Sequence, residues 1–118
     1  MKNNKKFRVI SLFSGAGGMD LGFINAGFDI VWANDFFKEA VESYKKNISE
    51  DIVFGDITKI KSSEMPDDID LVIGGFPCQG FSVANTKRSM KDERNFLYKE
   101  MLRVIKDKNP KFFVAENV

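Results

Sequence analysis

Five short apolar runs punctuate this chain. Residues 7–13, 28–33, 52–54, 69–73 and 112–115 are rich in Val, Ile, Leu and Phe and read as strands. The segments between them differ in kind. Residues 19–26 suit a helix stopped by Gly27, and residues 37–47 suit another with Ala40, Val41 and Tyr44 on one face. Phe96, Leu97, Met101, Leu102 and Ile105 recur at helical spacing across residues 95–106, whereas residues 57–68 are mixed, loop-like and broken by Pro66. Strands alternating with crossovers imply an α/β fold: a doubly wound, mainly parallel sheet of about five strands covered on both faces. No repeat, low-complexity tract or linker divides the 118 residues, which suffice for one domain with one core.

In such sheets ligands sit at the carboxyl ends of the strands. The residues that carry chemistry fall there: the turn from Gly15 to Gly18, then Asp35, Asp56, Cys78 and Glu116. A glycine-rich turn lets the backbone approach a ligand closely, and the helix that follows favours anionic groups at its start. Asp35 lies roughly 20 positions after Gly15, the separation at which a carboxylate meets ribose hydroxyls. The dinucleotide fingerprint is incomplete, because Asp20 stands where its last glycine belongs. That disfavours a nicotinamide dinucleotide and leaves a nucleoside without a pyrophosphate, such as S-adenosylmethionine. Asp56 is placed to accept from an adenine amino group. Taken singly, each residue has a plainer explanation: glycines for chain reversal, Asp35 as a cap, Asp56 as a turn carboxylate. Together, at the ends of three successive strands, they favour a nucleoside site.

Cys78 is the only cysteine, and histidine is absent. An internal disulfide is impossible, so the reducing cytoplasm is the natural compartment. A Ser-His or Cys-His relay within the chain is excluded, and no ordinary zinc ligand set exists. No metal is expected. No apolar run approaches a membrane span. A formal charge of +1 gives no global argument for nucleic acid, so any such face has to be local. A lone cysteine is often a small buried hydrophobe. Here Gly74, Gly75, Pro77 and Gly80 surround it at the exit of the fourth strand, which holds it rigidly yet leaves it open to a ligand. A thiolate there is a strong nucleophile. Glu116 ends the fifth strand, beside the fourth in a doubly wound sheet, so the two can face one pocket. Partly desolvated, such a carboxyl stays protonated and acts as an acid; fully solvated, it does not.

Phe13-Ser14-Gly15-Ala16-Gly17-Gly18, Gly55-Asp56, Pro77-Cys78-Gln79-Gly80-Phe81-Ser82 and Glu116-Asn117-Val118 resemble, in order and spacing, the DNA (cytosine-5) methyltransferases of bacterial modification systems. The resemblance covers nearly the whole chain. It implies a Rossmann-like methyltransferase fold, S-adenosylmethionine as cofactor and double-stranded DNA with a flipped cytosine as partner. It implies that Cys78 adds to C6 of the cytosine while Glu116 holds N3, so that C5 becomes nucleophilic. Phe13 would stack on the adenine, the turn Gly15, Ala16, Gly17 and Gly18 would cradle the cofactor, and Asp35 would take the ribose. Phe36, Asp56 and Ile57 would meet the adenine, and Gly75, Pro77 and Leu97 would line the remainder. Phe36 and Leu97 read equally well as core. Gln79, Ser82, Arg94 and Asn117 would face the substrate, within and beside a loop whose Lys87, Arg88 and Lys91 suit phosphates or plain solvent.

The family's pattern continues past its Glu-Asn-Val. Residues 1–118 therefore correspond to the N-terminal portion of the cofactor-binding catalytic domain, with the target-recognition region absent. The expectation is a fragment or one subunit of a split enzyme, inactive alone and active when completed by the missing C-terminal part, which in a split enzyme a second chain carries. Two other functions fit the same residues: a non-catalytic nucleoside-binding or interaction subunit, and a tRNA cytosine-5 methyltransferase.

Overall fold

The computed structural model describes residues 6–76 and 95–117. Its elements are β1 (Arg8–Leu12), α1 (Gly18–Asn25), β2 (Asp29–Asp35), α2 (Lys38–Asn47), β3 (Val53–Phe54), two 3-10 turns (Ile57–Lys59 and Ser62–Glu64), β4 (Leu71–Phe76), α3 (Asn95–Lys108) and β5 (Phe112–Asn117). The five strands form one parallel sheet in the order β3-β2-β1-β4-β5. It is the doubly wound parallel sheet anticipated from the alternation of strands and crossovers.

β1 lies at the centre. Val9, Ile10 and Leu12 are wholly buried, as are Val72 and Ile73 of its neighbour β4. A strand covered on both faces needs apolar residues at consecutive positions, and these two runs supply them. Ile10, Leu12 and Val72 face Met101 and Val104 of α3, with Ile57 of the first 3-10 turn in the same cluster. Val9, Leu71 and Ile73 face Met19 and Phe23 of α1. Beside them Ala33 packs on Val41 and Tyr44 of α2. Helices α1 and α2 thus cover one face, and α3 with the 3-10 turns covers the other. The β1–β2 register slips between Val9 and Ile10, leaving Val31 unpaired opposite β1. Val31 and Trp32 consequently both pack toward the α3 face.

Several boundaries differ from those the sequence suggests. β2 runs on through Asn34 and Asp35, which are polar yet 2% and 8% exposed. Asn34 earns its place by donating from Nδ2 to the carbonyls of Val53 and Gly55, at 2.9 and 3.0 Å. β4 continues past Ile73 through Gly74, Gly75 and Phe76, because β5 pairs with it as far as Phe76↔Asn117. The supposed loop at 57–68 contains two 3-10 turns. Asp56 caps the first by accepting from Thr58 N, and Glu64 closes the second by accepting from Lys61 N. Among the described residues no helix is long and apolar enough to cross a membrane.

Candidate active site

The sheet order reverses between β1 and β4, so the crevice of this fold opens at their carboxyl ends. A cleft of about 230 Å³ occupies that place. Leu12, Phe13, Ser14 and Gly15 form one wall, and Gly74, Gly75 and Glu116 form the other. Gly74 permits the close approach of the walls. A Cβ there would lie 3.2 Å from Met101 Sδ and 3.3 Å from the Leu12 carbonyl.

The turn between β1 and α1 is sharply bent. Phe13, Gly15 and Gly17 have φ of 54°, 60° and 100°. For Phe13 this left-handed backbone is strained, and such strain concentrates at functional sites. Gly17 is required on two counts, because a Cβ there would also lie 2.7 Å from Ile48 Cγ1 and 3.0 Å from Tyr44 Cδ2. Gly15 faces open space. Gly17 and Gly18 begin α1, and no side chain caps its first amides, which suits an anionic group.

Asp35 reaches this turn from β2. Its Oδ1 accepts from Gly15 N and its Oδ2 from Phe37 N, both at 3.0 Å. The carboxylate therefore braces the turn, and each oxygen keeps a lone pair for a hydroxyl donor. Phe36 next to it is 61% exposed, so it is not a core residue; its ring meets that of Phe37, edge to face at 5.8 Å. An exposed aromatic at a strand end offers a face to a planar ring. Asp56 Oδ1 accepts from both Thr58 N and Thr58 Oγ1, at 2.9 and 2.7 Å. These bonds hold its carboxyl below the usual carboxylate range. Ile57 is buried in the core, and Leu97 packs against the same cluster. Any contact of Ile57 with a ligand falls to its backbone.

The register Gly75↔Glu116 sets Glu116 in the cleft wall. It is exposed rather than desolvated, since β5 is the outermost strand. Asn117 pairs with Phe76 at the end of the same ladder. Pro77, Cys78, Gln79, Ser82, Lys87, Arg88, Lys91 and Arg94 lie outside the described residues. Ala16 is exposed at the crest of the glycine turn.

One buried hydrogen-bond network has no counterpart in the sequence reading. Asp20, 1% exposed, lies in the floor of the cleft. Its Oδ1 accepts from Ser11 Oγ at 2.7 Å and its Oδ2 from Tyr44 Oη at 2.6 Å. Burial pushes the Asp20 carboxyl above its ordinary range, and the two hydroxyl donors pull it partly back. The Tyr44 phenol is pushed well above its own, first by burial and then by the bond to Asp20. The available sequence signals were a serine inside the apolar run of β1 and a polar residue on the inward side of α1.

Residues 7–118 match the family model for C-5 cytosine-specific DNA methylases. The chain is 50% identical to the Type II methyltransferase M.NgoFVII of Neisseria gonorrhoeae over 98% of its length and 31% of the relative's. It is 49% identical to the Type II methyltransferase M.FnuDI of Fusobacterium nucleatum over 94% of its length and 32% of that protein. It thus spans about a third of the curated relatives it matches. Among solved structures, the S. pombe Dnmt2 methyltransferase superposes with a TM-score of 0.73 at 30% identity, covering 96% of this chain and 36% of that one.

Proposed function

The chain belongs to the C-5 cytosine-specific DNA methylase family, and from that membership we propose that it carries the cofactor pocket and the nucleophile for methylating C5 of cytosine in DNA. The supporting observation is the pairing of Gly75 with Glu116 at the carboxyl ends of β4 and β5. It places a carboxyl group in the wall of the cleft, and only Phe76 and Pro77 separate Gly75 from Cys78 along the chain.

The residues present fit S-adenosylmethionine. The bent glycine turn lines the cleft, and beside that turn stand a braced carboxylate at the neighbouring strand end and an exposed aromatic. Asp35 would hold the ribose, Phe36 and Asp56 the adenine, and the turn from Gly15 to Gly18 the amino-acid end. Phe13, Gly75, Pro77 and Leu97 would complete the wall. Bound there, S-adenosylmethionine supplies the electrophilic methyl group that an activated C5 takes.

The chain's own groups do the activating. Cytosine C5 is a poor nucleophile while the ring is aromatic. Cys78 attacks C6 as a thiolate, forming an S–C6 bond, and the electrons of the 5,6 double bond move toward N3. A cytosine seated against Glu116 shields it from water, and its carboxyl then holds or protonates N3, so the ring becomes an enamine with electron density at C5. After C5 is methylated, a base removes its remaining proton, the C5–H electrons restore the double bond as the Cys78 thiolate leaves, and N3 returns its proton to Glu116. The target must leave the duplex to be reached. Gln79, Ser82, Arg94 and Asn117 would steady it, with Lys87, Arg88 and Lys91 on phosphates. The part of the family's pattern beyond Glu116-Asn117-Val118 would supply recognition of the DNA sequence.

DNA containing 5-fluorocytosine tests this, because fluorine at C5 blocks the proton removal and traps the adduct. The chain is incubated with S-adenosylmethionine and this DNA, alone and together with a polypeptide supplying the remaining two thirds of a relative. A covalent complex that disappears in Cys78→Ser is expected in the completed enzyme. A complex that survives Cys78→Ser, or none in the completed enzyme, overturns the assignment and leaves a non-catalytic nucleoside-binding chain. Methyl incorporation into tRNA rather than DNA would move the same chemistry to RNA.

A further inference from the structure

We propose that Asp20 is a positioning residue of the cofactor cleft, setting through Ser11 the direction of the Ser14 hydroxyl and tying through Tyr44 the glycine turn to α2. This rests on the S-adenosylmethionine assignment above and adds a residue to it.

The direction follows from counting protons. Ser11 has one hydroxyl proton, and it goes to Asp20 Oδ1 at 2.7 Å. Toward Ser14, whose oxygen is 2.8 Å away, Ser11 Oγ can then only accept. Ser14 therefore donates inward, either to Ser11 Oγ or to the Ser11 carbonyl at 3.2 Å. Its remaining capacity is two lone pairs, and Ser14 lines the cleft. A buried carboxylate, which can only accept, thus turns a two-way hydroxyl into an acceptor. The other oxygen of Asp20 takes the Tyr44 proton at 2.6 Å, and the Tyr44 ring lies under Gly17. The same residue therefore orients the wall and anchors the turn.

The ligand end that meets this wall follows from strand order. Asp35, Phe36 and Asp56 stand at the ends of β2 and β3, to one side, and draw the adenosine there. The amino-acid end is left over β1 and β4, where Ser14 lies. Its ammonium is a donor without lone pairs and needs acceptors. An acceptor-only Ser14 matches it, whereas one free to donate does not.

The test compares two nucleosides by calorimetry on the 118-residue chain. S-adenosylmethionine carries the amino-acid end, and 5′-methylthioadenosine lacks it. In Asp20→Asn one of the two carboxylate acceptors becomes an amide donor, which frees Ser11 or Tyr44 from its present direction. Ser11→Ala removes the hydroxyl link to Ser14, leaving that proton only the longer bond to the residue 11 carbonyl, and keeps the Asp20–Tyr44 bond in place, so it serves even if Asp20→Asn does not fold. Each variant is expected to bind S-adenosylmethionine about tenfold more weakly, the scale of one charge-assisted hydrogen bond, with 5′-methylthioadenosine unchanged. Equal weakening for both ligands would mean that the network is merely structural, and no weakening for either would remove its role; both outcomes overturn the proposal and leave the cofactor assignment standing. A wild-type chain that binds neither nucleoside overturns both.

Discussion

Gly17 and Gly15 share one turn, but the physics at the two positions differs. A methyl group at Gly17 meets Ile48 at 2.7 Å and takes up a φ of 100°, whereas one at Gly15 meets nothing at a φ of 60°. Gly17→Ala is expected to lower unfolding free energy by about 2–4 kcal/mol, combining overpacking with backbone strain. Gly15→Ala should cost about 1 kcal/mol, from its backbone alone. Urea unfolding of both variants checks the order. Asp20 yields a pH dependence with a definite sign. Its folded-state pKa is raised above the ordinary 3.8, chiefly by burial. The carboxyl therefore contributes most to stability when protonated, below 3.8, and that contribution is lost as pH rises through the folded-state value. The stability of wild type relative to Asp20→Asn should fall over that window and level off above it, in urea titrations run from pH 3 upward on a scale set by ordinary carboxylates.

Helix α3 is tied to the 3-10 turns by one side chain. Arg103 donates from Nη1 to Ser62 Oγ at 2.9 Å and from Nη2 to the Ile57 carbonyl at 3.0 Å, while Glu100 holds its guanidinium from one turn earlier. Removing it leaves the Ile57 carbonyl without that donor. Arg103→Ala is expected to cost about 1–3 kcal/mol. It should also speed hydrogen exchange at the amides of Lys59 and Ile60, which close the first 3-10 turn, ahead of those in β1. The turns themselves were not legible in the sequence. Three-residue elements carry no hydrophobic period, and their caps are single polar residues that also occur in loops. The extension of β4 through two glycines was hidden for another reason. Gly74 and Gly75 signal a break locally, but β5 supplies Ala115 and Glu116 as partners and the ladder continues.

Across the whole sheet, covering is uneven. β1 is flanked by two strands and buried on both faces, whereas β5 ends the sheet with Phe112, Phe113 and Val114 at 69%, 56% and 41% exposure. Phe112 and Val114 line a second, apolar cavity of about 340 Å³ with Phe7, Phe23 and Phe28. Among the described residues nothing pairs with the outer edge of β5, and an exposed apolar edge is a template for further strands. The 118-residue chain is therefore expected to self-associate in sedimentation experiments at micromolar concentrations. Phe113→Lys should weaken that association by about tenfold or more, by placing a charge on the edge. Unchanged association in Phe113→Lys would place the contact elsewhere.

The order of strands and helices, the parallel class and the glycine turn were readable from the chain alone, because each follows from local pattern: consecutive apolar residues, helical spacing, a backbone that only glycine tolerates. The placing of Asp35 at a strand end was readable for the same reason. Its bond to Gly15 was not, nor the exposure of Phe36 and Glu116, because each depends on what packs alongside. Asp20 shows the limit most clearly. Its partners Ser11 and Tyr44 lie on a different strand and a different helix, and only folding brings three polar groups from separate elements into one buried site where every proton has to be assigned. Local composition sets what each segment becomes; the cleft, and the direction of the hydroxyl in its wall, belong to the packed sheet.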